Sequence, residues 1–390
     1  MVSTTTRALL NRLFNVVPLL VAVIAALVVA SFLLAALNAD IATAYGAMFQ
    51  GAFGTVNATA ETLVKAIPIL FVAIGICVAF RGNVVNIGGE GQMIFGALAG
   101  VAVTLWIGES LGVLVVPLAL IAGFVAGGFF GGLAGYLKAF FNVNEILSTI
   151  MLNQVAVQIM NYLLNGPLLD PAAAGSNNIP KTARIAEIAE LPRLVFGLPG
   201  MSEPLFDRTR LHYGFVIAVV LAIVIYILLW RTAIGYRIRA VGYNERASRY
   251  AGIKVGRQMV LAMFLAGGCA GLAGAVQVLG LQYRLQTDGS PAGFTGGAGF
   301  NGIVAALFGG LNPFGAIPAS IFFGGLLVGA QNMQRAVGIP AALVTTINGL
   351  IVVFVVSSQI FTQVRNRRRA KLLIQPERIE ARAATAETPL

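Results

Sequence analysis

The sequence predicts an all-α membrane protein that crosses the bilayer about ten times, with an inverted repeat and both termini in the cytoplasm. Three observations carry that reading. The 390 residues are 58% hydrophobic and only 11% charged, with a mean hydropathy of +0.85, too apolar for a soluble domain of ordinary charge content. Runs of roughly 20 apolar residues recur along the chain, the length that one helical crossing needs. The basic residues behind the net charge of +11 sit mainly in one internal stretch and in the tail after Arg365. Retention of Lys and Arg on the cytoplasmic side accounts for them there without any nucleic acid.

Taken in order, Arg7 and Arg12 precede an apolar run from Val16 to Leu37, too long for the core of a cleavable signal peptide and therefore expected as the first span. Ala39 to Ala60 is polar and small and predicts a short external loop. Leu63 to Phe80 returns the chain to the cytoplasm at Arg81, with a Pro68 that a membrane helix tolerates when neighbours take up the freed carbonyl. Arg81 to Gly100 then places Asn83, Asn86, Glu90 and Gln92 among glycines at the head of an apolar run. Such a segment is either a turn whose glycines cap a helix or a polar feature sheltered by protein, because lipid would penalise each polar group.

Gly112 to Leu137 carries Gly123, Gly127, Gly131 and Gly135 at four-residue spacing, a smooth groove that predicts close helix packing. Asn144 to Leu164 sets Glu145, Thr149 and Asn153 on one helical face, with Gln154, Gln158 and Asn161 beside them. A membrane helix this polar must line a cavity or a protein interface. Residues 165–211 form the longest polar interval, expected outside, either a disordered connector or a functional loop. His212, the only histidine, is expected at the membrane surface without catalytic duty.

After the span Tyr213 to Trp230 comes Arg231 to Arg257, with seven basic residues and one acidic, Glu245. It reads as a cytoplasmic loop holding one short exposed helix, Glu245 to Tyr250, capped by Asn244 and closed by Gly252. Met259 to Leu281 goes outward, and Thr287 to Gly310 is a second glycine-interrupted segment, including Asn301. Its place after the preceding span matches that of Arg81 to Gly100, on the opposite side of the membrane, which marks an inverted repeat and points to a central pathway. Phe314 to Gln331 and Ala341 to Phe361 complete the spans, and Arg365, Arg367, Arg368, Arg369 and Lys371 anchor the tail inside.

The string RAVGYNERASRYAGI resembles the cytoplasmic coupling loop of ABC importer permeases of the branch that carries nucleosides, simple sugars and branched-chain amino acids. Gly242, Asn244, Ala247, Tyr250, Ala251 and Gly252 carry the match; Glu245 departs from it, since family members often have Pro there. NVVNIGGEGQM, NEILSTIMLN and GGAGFNGIVAALFGG look most similar to the nucleoside permeases. The resemblance implies a permease domain over residues 16–364, with the external loop at 165–211 and the coupling loop at 231–257, between a cytoplasmic N-terminus, 1–15, and a basic tail, 365–390. It further implies an ATP-binding subunit inside, an extracytoplasmic solute-binding protein outside and a second related permease, as a heterodimer or a homodimer, in a bacterial inner membrane. Asn83, Asn86, Glu90, Gln92, Asn153 and Asn301 are then the expected substrate path.

Absences agree with a transport subunit lacking a motor of its own. No Gly-Lys dipeptide offers a phosphate-cradling loop. One histidine and two cysteines in apolar runs, Cys77 and Cys269, exclude the usual zinc sites, so no metal and no cofactor is expected. His212 has no nucleophile elbow with it, which argues against an enzyme. An ion-coupled secondary carrier, with Glu90 and Glu145 as its candidate carboxylates, and a permease for ribose-type sugars or other small solutes stand as the alternatives.

Overall fold

The computed structural model describes residues 21–173, 179–195, 206, 208–287 and 289–340, with scattered positions from 343 to 358. The expectations for residues 1–15, for the start of the first span, for most of Ala341 to Phe361 and for the basic tail lie outside the described residues. By backbone contacts the chain divides into two compact units, Met1–Ile41 with Val337–Leu390, and Ala42–Ala336. Within the first unit the described helix is α1 (Val21–Ala36), where Ser31 Oγ donates to the Leu27 carbonyl at 2.9 Å.

The second unit begins with α2 (Ile41–Phe53) and α3 (Val56–Arg81), then α4 (Gly89–Leu111), α5 (Val115–Phe141) and α6 (Glu145–Leu164). After the polar interval follow α7 (Gly214–Arg231), α8 (Ala233–Tyr243), α9 (Glu245–Tyr250) and α10 (Val255–Gln277), which continues as a π turn, Val278–Gln282. Two short helices, α11 (Pro291–Thr295) and α12 (Ala298–Phe308), lead to α13 (Pro313–Val337). Among the described residues there is no strand beyond the isolated bridges Lys181–Gln286 and Arg193–His212, and seven helices are long and apolar enough to cross a membrane. At 11 residues, α12 rises only about 16 Å, half a hydrocarbon core.

Two expected loops are helical instead. Ala39 to Ala60 is expected as a short external loop, yet α2 occupies 41–53 and α3 starts at Val56, where Thr55 Oγ1 accepts from Ala58 N at 3.0 Å. The alanines of α2, Ala42, Ala44, Ala47 and Ala52, lose little on helix formation, and an N-cap threonine fixes the start of α3 locally. The basic stretch after Arg231 likewise holds α8 besides the expected α9. Its Ile238 and Val241 are buried, and Val241 shares a cluster with Ala79, Val84, Met259 and Met263, so a charged surface covers an amphipathic helix.

The core is built from α3, α4, α5 and α10, with α3 and α10 the most enclosed of the span-length helices and α6 and α7 mainly exposed. The closest pair is α5 with α10, and the row Gly123, Gly127, Gly131 and Gly135 lies in that seam. A methyl group on Gly271 would stand 2.9 Å from the Cα of Gly127. Without side chains between them, the two backbones pack at van der Waals distance, which is what holds helices together where lipid offers no hydrophobic drive. Gly271→Leu should therefore force α5 and α10 apart. The expected result is loss of the monodisperse peak in detergent gel filtration; an unchanged peak would mean that the seam is not needed for folding.

Candidate functional site

The chain leaves α3 at Arg81 and runs without regular structure through 84–88 before α4 begins at Gly89. Irregular backbone beside membrane helices needs its polar groups satisfied by protein. Asn86 and Gln92, each 1% exposed, do part of this as a reciprocal amide pair. Asn86 Nδ2 donates to Gln92 Oε1 and Gln92 Nε2 donates back to Asn86 Oδ1, both at 2.9 Å. Asn86 Oδ1 also accepts from Gly88 N.

Both glycine-led helices are capped from outside. The N-cap of α4 is Gly88, which has no side chain to accept from the first turn. Asn153 of α6 does so instead: its Oδ1 accepts from Gly91 N at 2.8 Å while its Nδ2 donates to the Ile87 carbonyl at 3.0 Å. The N-cap of α12 is Gly297, equally bare. Here the acceptor is Glu90 of α4, which takes Phe300 N on Oε1 at 3.3 Å and the Thr295 hydroxyl on Oε2. A Cβ on Gly299 would lie 2.6 Å from Glu90 N, so the two interrupted segments meet end to end with a carboxyl group between two helix N-termini. That is a favourable place for negative charge.

The expected path residues thus separate. Asn86, Glu90, Gln92 and Asn153 form one buried cluster, and Asn301 stands half-buried in the first turn of α12. Asn83 is elsewhere: exposed, with φ +58, it donates from Nδ2 to Glu245 Oε1 at 3.1 Å. Of the other carboxylate considered, Glu145 pairs with Lys138 at 3.0 Å.

At the same end of the bundle, Asn244 Oδ1 accepts from Ala247 N at 3.1 Å to start α9, and Gly252 takes φ +77 beyond its end. Ser248 is buried, whereas Asn244, Ala247, Tyr250, Ala251 and Gly252 are exposed, Tyr250 at 94%. Gly242 rests on the backbone of Arg81, where any side chain would collide with the Arg81 carbonyl. Arg81 itself stacks over Trp230 at 5.4 Å and donates to the Leu311 carbonyl at 3.3 Å. The α8–α9 segment is therefore fastened to the ends of α3 and α7 and shows an open polar and aromatic face.

Toward the opposite end lies a cavity of about 240 Å³ between α3, α10, the α11–α12 region and α13. Its polar lining is Lys65, Gln277, Gln282, Gln331, Thr295 and His212. Reading the sequence missed the lysine and the three glutamines, because each is a lone polar residue at the edge of an apolar run and none belongs to a motif. His212, expected at the surface, is 2% exposed; burial pushes its imidazole down to about 4, so it is neutral, and its Nδ1 accepts from Gly214 N at 3.1 Å. The polar interval is no loose connector where it is described. Thr182 N donates to the Leu285 carbonyl, Ile185 N to Tyr283 and Leu191 N to Leu279, which fastens 179–195 along the segment that carries Gln282. Arg210 adds a bidentate pair to Glu61 at 2.6 and 2.7 Å.

Comparison with known proteins gives one family and several relatives. The family described as branched-chain amino acid transport system / permease component matches residues 58–356. The chain is 34% identical to the guanosine ABC transporter permease protein NupP of Bacillus subtilis over 366 residues, 93% of this chain and 99% of NupP. It is 35% identical over 347 residues to the glucose ABC transporter permease protein TsgB13 of Haloferax volcanii, covering 88% and 87% of the two chains. A second guanosine permease protein of Bacillus subtilis, NupQ, is 30% identical over 269 residues, 67% of this chain and 78% of its own. No solved structure matches at a significant level.

Proposed function

Because the chain belongs to the family of branched-chain amino acid transport system permease components, we propose that it is the membrane subunit through which an ATP-driven importer passes nucleosides. The observation that carries the substrate class is the match to NupP, which runs over 99% of that protein. A buried junction rich in amides suits a solute with many hydrogen-bonding groups. The test is uptake of radiolabelled guanosine and glucose by cells that depend on this transporter. Saturable guanosine entry that glucose does not compete supports the reading; the reverse preference overturns it.

In this reading α9 is the docking element for a separate ATP-binding subunit in the cytoplasm, with Gly242, Asn244, Ala247, Tyr250, Ala251 and Gly252 at the contact. Exposed tyrosines beside small residues make suitable anchors for a partner's cleft. The exposed Gln154 and Gln158 of α6 give the second contact. Amides on a span-length helix are costly against lipid, and a second related permease would satisfy them. That two different guanosine permeases of one organism resemble this chain supports a heterodimer. An extracytoplasmic binding protein delivers solute over 165–211, in a bacterial inner membrane crossed about ten times with both termini inside.

Asn86, Glu90, Gln92, Asn153 and Asn301 flank the route where the two half-length segments meet, and Asn83 couples that junction to the motor. Its bond to Glu245 joins the first residue of α9 to the loop that feeds Asn86. A displacement of α9 on ATP binding is passed to that loop as a rigid push. Asn83→Ala should keep the complex assembled and hydrolysing ATP while uptake per ATP falls about threefold to tenfold, from loss of one solvent-exposed hydrogen bond. Unchanged uptake per ATP would remove Asn83 from the coupling route.

A further inference from the structure

The cavity lined by Lys65 and three glutamines shares only Thr295 with the contacts described for the helix junction and none with those described for docking. Along α3, Lys65 lies 16 residues before Arg81, about 24 Å from the α8–α9 end. With α9 facing the ATPase, the cavity opens in the outer half of this one chain. Two of its polar groups are unspent. Among the described residues the ion pairs are Lys138–Glu145, Arg184–Glu190 and Arg210–Glu61, so the Lys65 ammonium has no carboxylate partner. An ammonium on a span-length helix is a functional group by default, because lipid gives it nothing. The Gln282 Oε1 is buried with no hydrogen-bond partner, an acceptor left open beside the π turn of α10. Turns of that kind recur at functional sites, since the extra residue turns side chains out of register.

We propose that this cavity is an outward reception site within the single permease chain for a flat, uncharged heteroaromatic solute with a hydrogen-bonding edge, the chemistry of a nucleobase. The site deepens the importer reading and rests on it. Lys65 donates to ring nitrogen or carbonyl acceptors, and Gln282 accepts from a ring or exocyclic N–H. Pro68 and Leu327, both half-buried, provide apolar surface for the ring faces, which a free sugar would use less well. Gln331, exposed on α13, stands at the rim.

The test uses the purified permease–ATPase complex in proteoliposomes with its solute-binding protein, where thiol modification and uptake are both read. Cys77 and Cys269 are both buried, so a polar thiol reagent reports on an introduced cysteine. The expected result is that guanosine slows modification of Gln331→Cys at least about fivefold, and that Lys65→Met in the same chain removes the protection while Lys65→Arg keeps part of it, as loss of one charged hydrogen bond requires. Equal rates with and without guanosine, in a complex that imports guanosine, overturn the site and leave the importer reading standing. Protection by glucose but not by guanosine overturns the solute class proposed for the cavity. A complex that imports neither guanosine nor glucose overturns the importer reading, and the site with it.

Discussion

Ala247→Arg abolishes uptake while leaving the membrane domain folded. Ala247 is the exposed small residue in the middle of α9, whose amide the Asn244 cap already holds, so the substitution does not disturb the helix. It instead drives a long charged side chain into the surface that the ATP-binding subunit is proposed to clasp. Overfilling a central interface position costs about 2–4 kcal/mol, a loss of roughly 30-fold to 1,000-fold in affinity. The measurement is paired: pull-down of the ATPase through a tag on the permease, and gel filtration of the permease itself. Lost pull-down with an unchanged elution profile is the expected outcome. Retained ATPase together with normal uptake would remove α9 from the interface.

Glu90→Leu has the second large effect, and it acts through the fold. The leucine would leave the Thr295 hydroxyl without its carboxyl acceptor and Phe300 N uncapped at the start of α12. Loss of the buried Thr295–Glu90 bond together with the part-buried cap at Phe300 N costs about 1–3 kcal/mol, so the junction between α4 and α12 loses a large part of the protein's stability margin. We expect little folded protein and less than about a tenth of normal uptake, by the same arithmetic. Glu90→Gln keeps one carbonyl acceptor and should retain a measurable share of uptake at normal protein level. An ion-coupled carrier predicts otherwise: there the glutamine would abolish transport as completely as the leucine. The two substitutions together separate a carboxyl group that caps helices from one that carries a proton or a cation.

Where a structural decision is made locally, the sequence shows it. The bounds of α9 follow from an Asn that caps and a Gly that reverses the chain within ten residues, and both act as expected. The row of glycines on α5 announced close packing for the same reason. Asn86, Glu90, Gln92 and Asn153 stand out as polar residues in apolar surroundings. Their partners do not, because Asn153 reaches Gly91 across 62 positions and Glu90 reaches Phe300 across 210. Only the fold reveals that each caps a helix whose own cap residue is glycine. α8 was masked by its charge, although Ile234, Ile238 and Val241 recur at helical spacing along one side of it. Lys65 and Gln282 gave no pattern at all, and their meaning comes from the cavity that α3, α10 and α13 enclose.

The measurement closest to the central claim is accumulation of radiolabelled guanosine in proteoliposomes that contain this permease with its co-purified subunits. Accumulation should need ATP on the α9 side and binding protein on the other, and an ion gradient alone should not drive it. Guanosine entry without ATP, powered by a proton or sodium gradient, would contradict it.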